Sequence, residues 1–234
     1  MKRVNIRSVK QGTGELVELY LESRLTGGRL LCPQNLIPSP GEYLLAHDPA
    51  SNAPLSVPVF NAGPVPGGFL LAPPIPLPWH PGTSLSLRGP LGRGFSLPAS
   101  VRRVALVALG ETAARLKPLI PAAMGQDASI TLVSDLDLPD LPSEVEIQPV
   151  SALPEVAKWA DYMALDLSRE SLPGLREKLG LGEQAKVPFE AQVLIVMSMP
   201  CGGMAECGVC AVTVRRGWKM ACKDGPVFDL DELI

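Results

Sequence analysis

Four of the chain's five cysteines lie beyond residue 200, at Cys201, Cys207, Cys210 and Cys222, with the spacing C-x5-C-x2-C-x11-C. Two bridged irons need four thiolates, two for each iron, and plant-type sites supply them as C-x4-C-x2-C followed by a distant fourth. The loop here is one residue longer than that pattern. Gly202, Gly203 and Gly208 suit a chain folded around a cluster, because it needs positive φ and close backbone approach, with N–H groups free to meet the sulfurs. The spacing therefore points to a [2Fe–2S] cluster on Cys201, Cys207, Cys210 and Cys222. Structural zinc is an alternative, although its ligands usually come as two short-spaced pairs, and here three cysteines share one loop while the fourth stands apart. Two disulfides are a third reading, disfavoured in a reducing compartment. Cys32, alone before Pro33, reads as a small buried or idle thiol.

Other polar residues carry less. Arg215, Arg216, Lys219 and Lys223, with Trp218 among them, read either as a docking rim for an acidic partner or as a solvated hairpin, and the second reading is favoured. Met197, Met199 and Met204 flank the loop and are expected to shield the cluster from water. His47 and His80 have no Ser or Cys partner motif and are not read as catalysts.

The elements that must position this loop follow from the rest of the 234 residues. A content of 46% hydrophobic and 19% charged residues is that of a globular protein, long enough for two compact units and an appendage. A net charge of −3 argues against nucleic acid, whose binding draws on clustered Lys and Arg. No apolar run is long enough for a transmembrane helix, and the start shows no signal-peptide block. A cytoplasmic location is expected.

From Val4 to about Pro98, short apolar runs alternate with turn signals. Val17, Leu19 and Leu21 alternate with Glu18, Tyr20 and Glu22; Pro40-Gly41, Pro66-Gly67-Gly68 and Pro81-Gly82 each precede a further run. This predicts an antiparallel β-barrel or sandwich. From Val101 the pattern becomes strands at Val104–Leu109, Ser129–Ser134, Val145–Gln148 and Tyr162–Leu167, with helices at Glu111–Met124 and Pro154–Trp159. That alternation predicts a small parallel-sheet α/β domain. The boundaries drawn are 1–99 for the barrel, 100–186 for the α/β domain and 187–234 for the cluster-binding segment, with a hinge near Pro98 and Ser100.

The stretch Met199-Pro200-Cys201-Gly202 through Cys207-Gly208-Val209-Cys210 to Cys222-Lys223-Asp224-Gly225-Pro226-Val227-Phe228 resembles the electron-transfer subunit of class-B dihydroorotate dehydrogenase, in the ferredoxin-reductase superfamily. Gly89-Pro90-Leu91-Gly92-Arg93-Gly94-Phe95 is similar to that family's G-P-L-G-x-G-F turn. The resemblance implies a flavin-binding β-barrel, a nucleotide-binding α/β domain and a C-terminal [2Fe–2S] segment. It places the flavin motif at Ala53-Pro54-Leu55-Ser56, making Pro54, Leu55 and Ser56 the candidate FAD contacts, with alanine where the family has a phosphate-pairing arginine. At the nucleotide turn, Ala108-Leu109-Gly110-Glu111-Thr112 has one glycine and an acid that repels phosphate. The family's later Cys-Gly-Pro turn is absent, Tyr162-Met163-Ala164-Leu165-Asp166 running straight through.

The resulting expectation is an electron-transfer subunit rather than a stand-alone catalyst, relaying electrons through the cluster to or from a flavin-containing dehydrogenase subunit. The resemblance names that partner as the dihydroorotate dehydrogenase of pyrimidine biosynthesis, with an external electron carrier as a second partner. FAD is a candidate cofactor and NAD(P) a disfavoured one. A complete FAD-dependent NAD(P)H reductase and a structural zinc-binding assembly protein are the alternatives.

Overall fold

In the computed structural model, residues 9–136, 138, 140–182, 187 and 189–234 are described. Residues 4–8, where the first strand region was expected to begin, and the boundary expected at residue 186 lie outside them. Six antiparallel strands close a barrel: β1 (Lys10–Glu22), β2 (Leu25–Leu31), β3 (Tyr43–His47), β4 (Val57–Val65), β5 (Gly68–Leu71) and β6 (Ser84–Leu91). Their order is β1-β2-β5-β4-β3-β6. Leu16, Leu30, Leu44, Phe69, Leu71 and Leu85 fill it and are fully buried. Closure leaves no sheet edge here for another strand to pair with.

The apolar face of β1 differs from the alternation of its sequence. A bulge between Leu16 and Glu18 shifts the register against β2, and an extra residue reverses which side chains face in. Leu21 is 71% exposed while Glu22 is 5% exposed. Glu22 is buried because it has partners outside the barrel: Lys117 Nζ lies 2.5 Å from its carboxylate and Thr112 Oγ1 donates to it at 3.2 Å.

Five parallel strands follow: β7 (Arg103–Ala108), β8 (Ser129–Val133), β9 (Val145–Gln148), β10 (Tyr162–Ser168) and β11 (Glu190–Val196). They stand in the order β11-β10-β7-β8-β9. The sheet matches the expected α/β unit, but the helix expected at 111–124 is shorter. Only a 3-10 turn at Lys117–Leu119 and helix α1 (Ile120–Met124) form. Pro118 and Pro121 supply no N–H, and Thr112 Oγ1 accepts from Ala114 N at 3.0 Å, a local bond that competes with helix. Helices α2 (Leu153–Trp159) and α3 (Leu175–Lys178) complete this part.

The C-terminal segment is woven into the same sheet. After the cysteine loop come a hairpin of β12 (Ala211–Val214) and β13 (Gly217–Met220), helix α4 (Ala221–Asp224), strand β14 (Val227–Asp229) and helix α5 (Leu230–Leu233). β14 pairs antiparallel with β11. One continuous core joins Tyr43 and Phe60 of the barrel, Leu165 and Val193 of the sheet, and Met199, Cys210 and Cys222 of the segment.

The two stretches that carried the family resemblance also meet. Arg93 bridges to Pro226 in parallel, and its guanidinium pairs with Asp229 at 2.9 Å. Gly92 has φ +78°, and a Cβ there would lie 2.6 Å from the Gly225 carbonyl oxygen, so only glycine fits the crossing.

Candidate metal centre

Residues 200–210 form a tight loop without regular structure between β11 and β12. Gly202, Gly203 and Gly208 have φ of +65°, +76° and +72°, and Ala205 joins them at +61°. These left-handed turns aim backbone N–H groups inward. The N–H of Glu206 contributes most to holding the Cys201 thiol down at about 6, joined by the N–H groups of Cys207 and Met204 and by the Cys207 thiol. Donors gathered around one sulfur favour its charged form, the form that binds metal.

The other two cysteines are set deeper. Cys210 and Cys222 are both buried. Burial, followed by the bond to the Cys210 thiol, pushes Cys222 up to about 12, while the Ala205 N–H works the other way. Cys207 lies among the groups that lower the Cys201 thiol, and Cys210 among those that raise Cys222. Among the described residues, no three His, Cys, Asp or Glu side chains are grouped so that they could hold one metal ion. Four thiols, with N–H donors already aimed at the Cys201 sulfur, fit a two-iron cluster.

Met199 and Met220 are the buried methionines beside these cysteines, with Met220 Sδ 3.9 Å from Cys210 Sγ. Met204, expected to shield the loop, is 59% exposed. Its place in the positive-φ run before Ala205 directs it to solvent, and Met220, on β13, takes the inner position. Of the basic residues on the hairpin, Lys219 pairs with Glu232 at 2.6 Å and Arg215 donates to the Asp231 carbonyl. Those charges tie the hairpin to α5, as a solvated hairpin requires.

Two barrel side chains reach this loop, and the sequence reading did not find them. Tyr43 Oη donates to the Cys222 carbonyl at 2.9 Å from a fully buried position. Arg88 Nη2 donates to the Gly202 carbonyl. Arg88 sits opposite Leu45 on the paired strands β6 and β3, so Tyr43, two residues before Leu45, shares its face. A Cβ on Gly203 would lie 3.1 Å from Tyr43 Oη, 3.5 Å from Arg88 Nη2 and 3.6 Å from a Leu45 methyl. Nothing in a tyrosine or an arginine within an alternating strand marks it for this role. The signal is the register, which sequence does not print.

The expected flavin contacts are elsewhere. Pro54 and Leu55 are exposed and Ser56 is half-buried, all on the connection between β3 and β4. A nucleotide site in a parallel sheet forms where the strand order reverses, outside the carboxyl ends of the strands. Here that point lies between β7, which leads to β8 and β9, and β10, which leads to β11. Arg115 and Asp166 occupy it: Nε meets Oδ2 at 2.7 Å and Nη2 meets Oδ1 at 3.2 Å. Asp166 is 0% exposed, and burial pushes its carboxyl upward against the pull of Arg115. The guanidinium also donates to the Pro73 carbonyl at 3.4 Å and lies 6.0 Å from the centre of the Phe60 ring. Pro73 and Pro74, on the barrel side, offer no N–H. These residues do not fit a nicotinamide dinucleotide's pyrophosphate, which takes backbone N–H groups at a helix N-terminus.

A cleft of about 490 Å³ opens between the barrel and the 117–121 turn, lined by Tyr20, Glu22, Arg29, Lys117 and several prolines. None of Pro54, Leu55 and Ser56 lines it. Among the described residues, no helix is long and apolar enough to cross a membrane.

Comparison with known proteins meets this geometry at the same segment. The profile of the iron–sulfur cluster binding domain of dihydroorotate dehydrogenase B matches residues 198–234. The electron transfer subunit of dihydroorotate dehydrogenase B (NAD(+)) from Desulforamulus reducens is 26% identical over 170 residues, covering 63% of this chain and 64% of that protein. The aligned region thus spans just under two thirds of that relative's own length. Among solved structures, that of an NADH-dependent reduced ferredoxin-NADP oxidoreductase superposes with a TM-score of 0.76 at 19% identity, over 94% of this chain and 89% of that one. An Amycolatopsis cytochrome P450 reductase gives 0.61 at 14% identity, over 81% and 71%. At those identities the structural likeness establishes the fold. The chain therefore shares the fold of these reductases, and its residues 198–234 are similar to the iron–sulfur cluster binding domain of dihydroorotate dehydrogenase B.

Proposed function

We propose that the chain is the electron-transfer subunit of a flavin-dependent dehydrogenase and that it holds a [2Fe–2S] cluster on Cys201, Cys207, Cys210 and Cys222. The observation that carries this reading is the loop itself: Cys201, Cys207 and Cys210 lie on one left-handed turn of Gly202, Gly203, Ala205 and Gly208, and Cys222 is buried in the same core as Cys210. Cys201 and Cys207 would hold one iron, Cys210 and Cys222 the other. When bound, such a cluster takes up and releases one electron at a time.

The chain's own residues divide the remaining work. The N–H groups of Met204, Glu206 and Cys207 spread the charge of the Cys201 side. Met199 and Met220 keep water from the Cys210 side. Cys207 is exposed and marks the edge where a partner approaches. The relative from Desulforamulus reducens supports a catalytic partner of the dihydroorotate dehydrogenase type, whose reduced flavin would supply the electrons, with an external carrier accepting them. The filled crevice at Arg115 and Asp166 favours a relay through the cluster without NAD(P)H oxidation in this chain, while FAD stays the candidate cofactor of the barrel. The three boundaries, 1–99, 100–186 and 187–234, are kept as the division of labour, with β11 and β14 tying the last unit to the sheet.

An absorption spectrum of anaerobically purified protein, before and after dithionite, tests this, with iron, zinc and flavin assayed on the same sample. The expected result is broad visible bands that bleach and about two irons per chain, with the flavin assay deciding whether the barrel holds FAD. Stoichiometric flavin that NADH bleaches would favour the complete reductase. A colourless, zinc-loaded protein would leave an assembly scaffold.

A further inference from the structure

The cluster loop is fixed by the barrel, and by a different residue for each cysteine pair. Arg88 binds the carbonyl of Gly202, next to Cys201, and Tyr43 binds the carbonyl of Cys222. The two side chains stand on one face of adjacent strands, so the barrel holds both halves of the site at once. Tyr43 brings a neutral phenol to this place. Arg88 is always charged, and it is the barrel's cation at this loop.

We propose that Arg88 is a positioning residue whose guanidinium raises the reduction potential of the cluster, with Tyr43 holding the second cysteine pair in register beside it. This rests on the reading of the four cysteines as a cluster site. A reduced cluster carries one more negative charge than an oxidised one, and a fixed cation beside it stabilises the reduced form. The electron arrives from the partner's reduced flavin and leaves to the external acceptor, so the guanidinium shifts the balance between the two states and is itself unchanged. Arg169 offers an internal comparison. It donates to the Val209 carbonyl at 3.1 Å on the other side of the loop, but its side chain is 46% exposed. Solvent and salt screen such a charge, whereas Arg88 is half-buried against the barrel.

The experiment is an EPR-monitored redox titration of the whole chain, with iron assayed on each sample, for wild type, Arg88→Gln, Arg88→Lys, Tyr43→Phe and Arg169→Gln. Arg88→Gln should raise the oxidised-to-reduced ratio at fixed ambient potential about tenfold, the size of effect that one half-buried unit charge exerts across a few ångströms, equal to about 59 mV for a one-electron couple. Arg88→Lys, which keeps the charge, should stay within about threefold of wild type, as should Arg169→Gln. Tyr43→Phe should broaden the EPR signal while moving the midpoint less than Arg88→Gln does. An iron-loaded Arg88→Gln with the wild-type midpoint would overturn the proposal. Should Arg88→Gln lose its iron, Arg88→Lys decides: a wild-type midpoint upholds the role of charge, and a midpoint lower by about 59 mV, a tenfold change in the oxidised-to-reduced ratio, overturns it. A wild-type chain without iron fails at the assay and sinks the underlying reading, which separates that failure from the other.

Discussion

Two places in this molecule are built for charge, and they are built in opposite ways. The cysteine loop gathers N–H donors around the Cys201 sulfur, and the two cations that reach it, Arg88 and Arg169, bind backbone carbonyls and not the thiols. The crevice between β7 and β10 is satisfied internally, its one acid held by a bidentate arginine and roofed by Phe60 and Pro73. A site that awaits a ligand keeps donors in reserve; a site that has become core pairs them off. The fold is shared with reductases, so the contrast lies in side chains and not in topology. The loop keeps its thiols free of charged partners, and the crevice is filled by its own ion pair.

The strongest way to break this comparison is to remove a cluster ligand. Cys210→Ser takes a thiolate from the buried pair, where no neighbouring side chain can replace it, and should lose nearly all of its iron and its visible absorption. Cys32→Ser, far from the loop, should retain both. Equal iron in the two variants would show that the loop does not carry the cluster.

The second test acts on the closed crevice. Arg115→Ala leaves Asp166 buried and unpaired, which costs about 3–5 kcal/mol, read as a lowered urea midpoint. The double replacement Arg115→Met with Asp166→Leu should recover most of that, because a hydrophobic pair of similar volume does as well as a buried ion pair. If the crevice were a working nucleotide site, wild type would show saturable one-to-one binding of NADH by fluorescence. None is expected.

How much of this could be read in the sequence depends on distance along the chain. The cluster loop was legible because three ligands and three glycines fall within ten residues, where spacing alone encodes geometry. The barrel was legible because its apolar runs lie between Pro-Gly turns, and β9 fell on the residues expected for it; β11 and β14, which lie in the segment read for its cysteines, were not read as strands. The Arg115–Asp166 pair joins residues 51 apart, and the Tyr43–Cys222 bond residues 179 apart; no local pattern reports such contacts. Glu22 was misleading for the same reason: it follows the polar side of an alternation, and its burial depends on Lys117 across the inter-unit boundary. The helix expected at 111–124 failed locally, since Pro118 and Pro121 were visible and their missing N–H groups were outweighed by the apolar pattern.

A third test sharpens the contrast at the loop without removing a ligand. Gly203 has φ +76°, and a Cβ would press on Tyr43 Oη at 3.1 Å. Gly203→Ala should cost about 1–3 kcal/mol from the left-handed conformation alone, seen as faster loss of visible absorption under a chelator. Because the crowding atom is the tyrosine hydroxyl, adding Tyr43→Phe should return part of the lost lifetime. If the double variant is no better than the single, the strain is in the backbone and not against the barrel.

The smallest effect is expected where the two recognisable sequence motifs cross. Arg93 and Asp229 form a close ion pair, but each side chain is 43% exposed, and exposed pairs contribute about 0–1 kcal/mol. Arg93→Ala should therefore shift the unfolding midpoint only slightly and leave iron content unchanged. The crossing is held instead by backbone, through the Arg93–Pro226 bridge and the glycine at 92 that lets the chains approach. Gly92→Ala should be far more damaging than Arg93→Ala, since its Cβ would meet a carbonyl oxygen that cannot move aside. A large loss from Arg93→Ala would mean that the charge pair, and not the close approach, couples the barrel turn to the segment that carries Cys222.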